Sequence, residues 1–206
     1  MTATEPQPVE RYPLFPLNLV LFPGGLLPLR IFEPRYQRMV SECLRGQQPF
    51  VVASIVDGPE AGGVAATAPS GTLARIVDWE QLEDGLLGLL CEGEDMVTLD
   101  EVQVERDGLA RVSVTRRHLL PPQAMPAQFA WMAELLAELL QRIGPPFDRL
   151  SHERPGADQV SARLTELLPI PLAEKQSLFE MPDHVARLRR LAGLINPAAA
   201  EDAGPA

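Results

Sequence analysis

The spacing of apolar residues along this chain changes near residue 120, from short alternating runs to helical stripes. The stretch Leu14–Gly46, LFPLNLVLFPGGLLPLRIFEPRYQRMVSECLRG, holds both patterns. Val20, Leu21 and Phe22 lead into Pro23-Gly24-Gly25; Leu26, Leu27, Leu29, Ile31 and Phe32 lead out. Apolar runs with β-branched and aromatic residues beside a Pro-Gly turn predict two strands. Glu33-Pro34 then predicts a helix start, because proline suits the first helical position and a carboxylate there meets the positive end of the helix dipole. Tyr36, Met39, Val40, Cys43 and Leu44 recur at i, i+3, i+4, i+7 and i+8, one apolar face of a helix over 34–46, with Gly46 as its stop.

Further along, Pro49–Asp57 (PFVVASIVD) reads as a strand, Gly58–Ser70 as a loop poor in buriable side chains, and Gly71–Trp79 as an alternating strand. Glu83-Asp84-Gly85 is a hairpin signal, with Leu86–Cys91 returning from it. Glu92-Gly93-Glu94-Asp95 breaks the run. The alternation of Val97–Glu105 slips between Leu99 and Val102, which predicts a bulge. Asp107-Gly108 turns the chain into a strand over Leu109–His118. Many short strands with frequent turn signals predict a small, mostly antiparallel sheet or barrel.

After Pro121-Pro122 the period is helical. One stripe is Phe129, Met132, Leu136, Leu139, Leu140 and Ile143, closed by Gly144-Pro145-Pro146. A second helix, with Asp158 as its cap, carries Val160, Leu164, Leu167 and Leu168. Pro171 opens a third with Leu172, Leu178 and Phe179, and Asp183 caps a last one with Val185, Leu188, Leu191, Leu194 and Ile195. The expectation is an α+β chain: a disordered leader at 1–10, a β-rich part at 11–120, a helical part at 121–196 and a disordered tail at 197–206.

Three segments in this order resemble one family. PLFPLNLVLFPGGLLPLRIFEPRY, GTLARIVDWEQLEDG and LLPIPLAEKQSLFEM are similar to the N-terminal, substrate-recognition domain of the Lon ATP-dependent protease. The resemblance spans roughly Tyr12–Ile195. It implies a PUA-like (pseudouridine-synthase-and-archaeosine-transglycosylase-like) β-barrel followed by a small helical bundle. Full-length Lon adds an ATPase and a Ser-Lys peptidase; the resemblance covers neither, so it implies a stand-alone domain that binds without unfolding or cutting.

Charge narrows the partners. The 206 residues carry a net charge of −10, which disfavours nucleic acid and an anionic membrane surface. No apolar run reaches the ~18 residues that span a bilayer, and MTATEPQPVERY lacks the pattern of a secretory signal, so the expected location is cytoplasmic. Between Ile76 and Glu105 there is no Lys or Arg but ten acidic residues, read as a solvated rim on the hairpin tips; the alternatives are a calcium site, for which the EF-hand spacing is absent, and a face that repels wrong partners or attracts basic segments.

Candidate chemistry is sparse. The single lysine, Lys175, follows Glu174 where a phosphate-binding loop needs glycine, and Ser177 two positions on does not face it on a helix, so Lys175 reads as a solvated surface residue. His118, His152 and His184 fit no zinc spacing and read as surface or interface residues; Cys43 and Cys91 read as free buried thiols. No catalytic residue, metal or cofactor is expected. The candidate peptide-binding surface is an apolar projection of Phe22, Leu26 and Leu27 rimmed by Arg30, Glu33, Arg35 and Arg38, unless those apolar side chains fill the end of the barrel. The function expected is non-catalytic recognition of unfolded or tagged polypeptide, alone or as a homo-oligomer, with a separate protease or chaperone as a further partner. The alternatives are a PUA-like RNA- or small-molecule-binding protein and an unrecognised hydrolase.

Overall fold

A computed structural model describes residues 11–63 and 65–196; the expected leader and tail lie outside the described residues. Strands β1 (Arg11–Leu17) and β2 (Leu26–Ile31) precede helix α1 (Pro34–Gly46). Strands β3 (Phe50–Asp57), β4 (Ala66–Gln81), β5 (Leu87–Val104) and β6 (Ala110–Arg116) complete one mixed sheet. A 3-10 turn then leads into α2 (Ala130–Ile143), followed by α3 (Ala157–Leu167), α4 (Leu172–Glu180) and α5 (His184–Ile195).

The pairings run β1–β3–β4–β5–β6 and return from β6 to β1, with only β1–β3 parallel. β2 hangs on the outside of β5 as an edge strand. β1 and β3 are buried on both faces because they serve two cores. Tyr12, Leu14, Val51 and Ala53 join Leu73, Val97 and Val112 in a cluster to which all five ring strands contribute. Phe15, Leu17, Phe50 and Val52 point the other way, against Tyr36, Met39, Val40 and Cys43 of α1. Period-2 alternation therefore shows in which core a residue joins, not in burial.

The helix over 34–46 forms where the spacing places it, and its stripe is buried. Its left-handed cap is Gln47 (φ 48°) rather than Gly46, with the Gln47 amide bonded to the Cys43 carbonyl. The bulge at Leu99/Val102 is present, and Gly85 and Gly108 adopt positive φ in the two hairpin turns. Asp183 caps α5 by accepting from the amides of Val185 (2.8 Å) and Ala186 (2.9 Å). α3 starts at Gly156 instead of being capped by Asp158.

Two strand expectations fail for identifiable reasons. Val20–Phe22 is not a strand: the Leu19 carbonyl accepts from Ser54 Oγ at 2.7 Å and the Leu21 carbonyl from Thr72 Oγ1, so side chains take bonds that a strand neighbour would make. Glu92–Asp95 does not interrupt β5. Gly93 sits where a Cβ would collide with the Phe22 carbonyl, and its backbone bonds to Gly24 (2.7 Å) and Gly25 (2.9 Å) seat the turn on the strand. The loop before β4 is also shorter than its composition suggests, because β4 already begins at Ala66.

Candidate functional site

The Pro23-Gly24-Gly25 turn leans on the helices: Gly25 is buried against Glu166 and Arg163 and Pro23 is half-buried, while Gly24 stays exposed. Phe22 is 2% exposed and Leu27 6%, and only Leu26 is half-buried. Phe22 meets Phe179 of α4 edge-to-face with ring centroids 5.0 Å apart, and Arg187 of α5 stacks over it at 4.7 Å. Beneath the turn, Glu166 of α3 accepts from the Phe22 amide at 2.6 Å and holds Arg163, whose Nε lies 2.8 Å from Glu166 Oε2. Arg163 in turn donates to the Pro23 carbonyl at 3.2 Å. Burial raises the Glu166 carboxyl above its usual range, against the opposing pull of Arg163 and the Phe22 amide. The expected projection of Phe22 and Leu27 is thus corrected: Phe22 packs against the helical half, and Leu27 joins the core between the strands and α1.

The expected charged rim is engaged internally as well. Arg30 pairs with Asp84 at the β4–β5 hairpin. Arg35 bonds the carbonyls of Gly63 (2.8 Å) and Gly108 (3.0 Å) and lies 2.9 Å from Glu33. Arg38 pairs with Glu105 and Asp107, and the Glu105 carboxyl is held below its usual range, first by Arg38 and then by Arg111. The acidic run from Ile76 to Glu105 is consequently half neutralised rather than freely solvated: Glu94 pairs with Arg75, Asp95 with Arg116 and Glu101 with Arg11. Glu80 and Glu83 make no ion pair among the described residues. Lys175 is also not freely solvated. Its ammonium donates to the Glu166 carbonyl at 2.7 Å, and burial lowers its pKa.

Two concavities border the stretch Leu14–Gly46. The first, about 450 Å³, lies between the strand and helical halves. Its deep wall is apolar: Phe22, Met96, Ala162 and Phe179, each at most 7% exposed. Around this wall stand all three histidines of the chain, His118, His152 and His184, together with Arg117, Arg163 and Arg187. The second is an open groove of about 870 Å³ beside β2. Pro28, Leu29, Leu90 and Pro146 line it, Trp79 stands 60% exposed over it, and Glu80 and Glu83 edge it.

Sequence reasoning put Phe22 and Arg30 on one surface, whereas the structure parts them, Phe22 lining the cavity and Arg30 the groove; it missed Trp79 and the convergence of the basic residues. The signal for Trp79 was local: an aromatic between Asp78 and Glu80, beyond the last apolar residue the strand buries. No local signal marks the basic cluster, since its members come from β6 onward through three separate segments.

The sulfur residues are structural. Cys43 and Cys91 are free and buried, and desolvation pushes each thiol up to about 12. Among the described residues no group of His, Cys, Asp and Glu is arranged to hold a metal ion, and no helix is long and apolar enough to cross a membrane.

Residues 11–197 match the model of the ATP-dependent protease La (LON) substrate-binding domain. The chain belongs to this family. A Lon N-terminal domain protein from Xanthomonas campestris shares 30% identity and a TM-score of 0.71, covering 90% of this chain and 98% of its own. The N-terminal domain of a Mycobacterium avium complex Lon protease has the same fold at 17% identity and TM-score 0.62, over 95% and 100% of the two chains. Lon protease of Xanthomonas oryzae is 26% identical over 95% of this chain, which spans 24% of that protein's length. The chain thus spans about a quarter of the length of the Lon proteases it matches.

Proposed function

We propose that this Lon-type domain is a non-catalytic module that binds unfolded or tagged polypeptide in the open groove beside β2. The observation that carries the reading is Trp79, exposed over a groove with an apolar lining and an acidic edge. An exposed tryptophan on an otherwise apolar floor is the kind of anchor that dominates binding energy once covered. Glu80 and Glu83 select segments whose apolar residues are flanked by Lys or Arg. β2 is an edge strand, but Pro28 removes a donor from it, so contact rests on side chains rather than on strand addition. In this reading the closed strand ring is the PUA-like barrel, residues 11–120 and 121–196 are its two subdomains, and the domain works in the cytoplasm, passing clients to a separate protease or chaperone.

Binding of reduced and alkylated lysozyme, an unfolded basic chain, tests the reading by fluorescence anisotropy. Trp79→Ala should weaken binding by more than tenfold, corresponding to about 2 kcal/mol. Unchanged affinity in a folded Trp79→Ala variant rejects the groove.

A further inference from the structure

The cavity between the halves differs from the groove in sign. Of its charged lining residues, Asp158 is the one acid against Arg117, Arg163 and Arg187, in a chain of net charge −10. Asp158 is engaged, its Oδ1 accepting from the Gln123 amide at 3.4 Å. Arg163 has its own counter-ion in Glu166. Arg117 and Arg187 have none: among the described residues neither lies within salt-bridge distance of a carboxylate. Arg187 is 3% exposed and spends its donors on the Leu178 carbonyl (2.9 Å), Ser161 Oγ (3.1 Å) and the Met181 carbonyl (2.5 Å). Arg117 makes one long bond, 3.3 Å, to the Glu180 carbonyl. Burial holds Arg187 down to about 10; the nearby Arg117 charge adds to this, while Asp183 and Asp158 oppose it. A buried cation and a second cation close to it, with no acid in contact, leave positive potential over an apolar floor. His118 and His152 stand exposed at the mouth and make no hydrogen bond among the described residues.

We infer that this cavity holds the carboxyl terminus of a bound polypeptide, the last side chain against Phe22, Met96 and Phe179 and the terminal carboxylate at Arg117 and His118. The inference rests on the polypeptide-binding reading above and adds a second, chain-end-specific contact to it. The chemistry fits one charge rather than many: a guanidinium takes a carboxylate in a two-pronged bond, whereas the acidic exterior repels a polyanion before it reaches the cavity. A volume of about 450 Å³ admits the last residues of a chain and not a folded surface.

The test uses the full chain and one labelled decapeptide that carries Lys and Leu in its body and ends in Leu-Phe, made as the free acid and as the amide. The acid should bind about tenfold tighter. Arg117→Gln with His118→Gln should bring the acid to the affinity of the amide. Should that variant fail to fold, His118→Gln with His152→Gln, both at exposed positions, should cut the acid's advantage at least threefold. Equal affinity of acid and amide for the native chain overturns the inference, and so does octanoate displacing the acid peptide as effectively as the unlabelled peptide does, because the occupant is then a small carboxylate. Trp79→Ala separates the two readings. Weakening of acid and amide alike supports the groove, whereas loss of neither, with the acid preference intact, rejects the groove and leaves the cavity.

Discussion

The guanidinium of Arg187 lies 4.7 Å above the Phe22 ring, joining the last helix to the turn that follows β1. Phe179 approaches the same ring from its edge at 5.0 Å. Val20, Met96 and Ala162 complete a small cluster drawn from the sheet, the turn and two helices. This cluster, with the Glu166 bond to the Phe22 amide, is where the strand half and the helical half hold each other. It also forms the floor of the basic cavity, so the seam between the halves and a candidate binding site are one place.

Phe22→Ala should therefore destabilise the chain by about 3–5 kcal/mol, the usual cost of truncating a buried aromatic. The loss includes the edge-to-face partner and the cation stacked above the ring. Urea unfolding followed by circular dichroism reads it. A loss under about 1 kcal/mol would show that the halves are held elsewhere.

Gly93→Ala carries a prediction of sign. Replacing glycine by alanine within a strand ordinarily stabilises, because the unfolded chain loses freedom. Here the added methyl meets the Phe22 carbonyl, a backbone atom that moves only with the whole turn. Destabilisation of about 1–3 kcal/mol is expected, seen as a lower melting temperature. A raised melting temperature would mean that the turn is not seated on β5.

The thiols predict a pH response. Cys43 and Cys91 are raised to about 12 in the fold, above the ~8.5 of an unfolded chain. A raised folded value gives stability that is complete below the unfolded pKa and is lost as pH climbs towards the folded one. Unfolding free energy should fall between pH 8.5 and pH 11, and Cys43→Ala with Cys91→Ala should flatten that fall. Both thiols should also resist a thiol-specific reagent until denaturant is added. Rapid labelling of the native chain would contradict the burial.

The parts of the fold that were legible in the sequence are those decided within a few residues of themselves. The α1 stripe from Tyr36 to Cys43, the glycine turns at Gly85 and Gly108, the Leu99/Val102 bulge and the Asp183 cap are all local. The site was legible only where composition alone located it. Phe22 and Leu27 have the same apolar signature whether they face solvent or a helix. For Phe22 the decision lies with α4 and α5, more than a hundred residues away, which bring Phe179 and Arg187 to the ring; for Leu27 it lies with α1 and the pairing with β5. Separation along the chain also hid the pairing of Arg30 and Arg38 with acids on the hairpins and the bonds of Arg35 to the Gly63 and Gly108 carbonyls, because an acidic run and an arginine cluster look free until the chain closes. His118, His152 and His184 share no spacing, and only the packing of α3 and α5 against the chain after β6 gathers them.

Leu27 and Trp79 are opposite cases, and together they give the last prediction. Leu27 pairs with Cys91 across β2 and β5 and sits in the core beneath α1, 6% exposed. Leu27→Ser removes that apolar contact and buries a hydroxyl, so it should cost about 3–5 kcal/mol and lower the melting temperature sharply. Trp79 lies farther along the sheet, past the register shift between Ile76 and Asp78, where β4 has left the core. Trp79→Ala should leave the melting temperature within about 3 °C, the shift of roughly 0.5 kcal/mol expected of a surface change. Its consequence should fall on the unfolded client instead, with a loss in affinity of more than tenfold. The pair therefore separates folding from binding within one sheet. A Leu27→Ser chain that melts normally would return the apolar turn to the surface, and a Trp79→Ala chain that unfolds would make Trp79 a structural residue rather than an anchor.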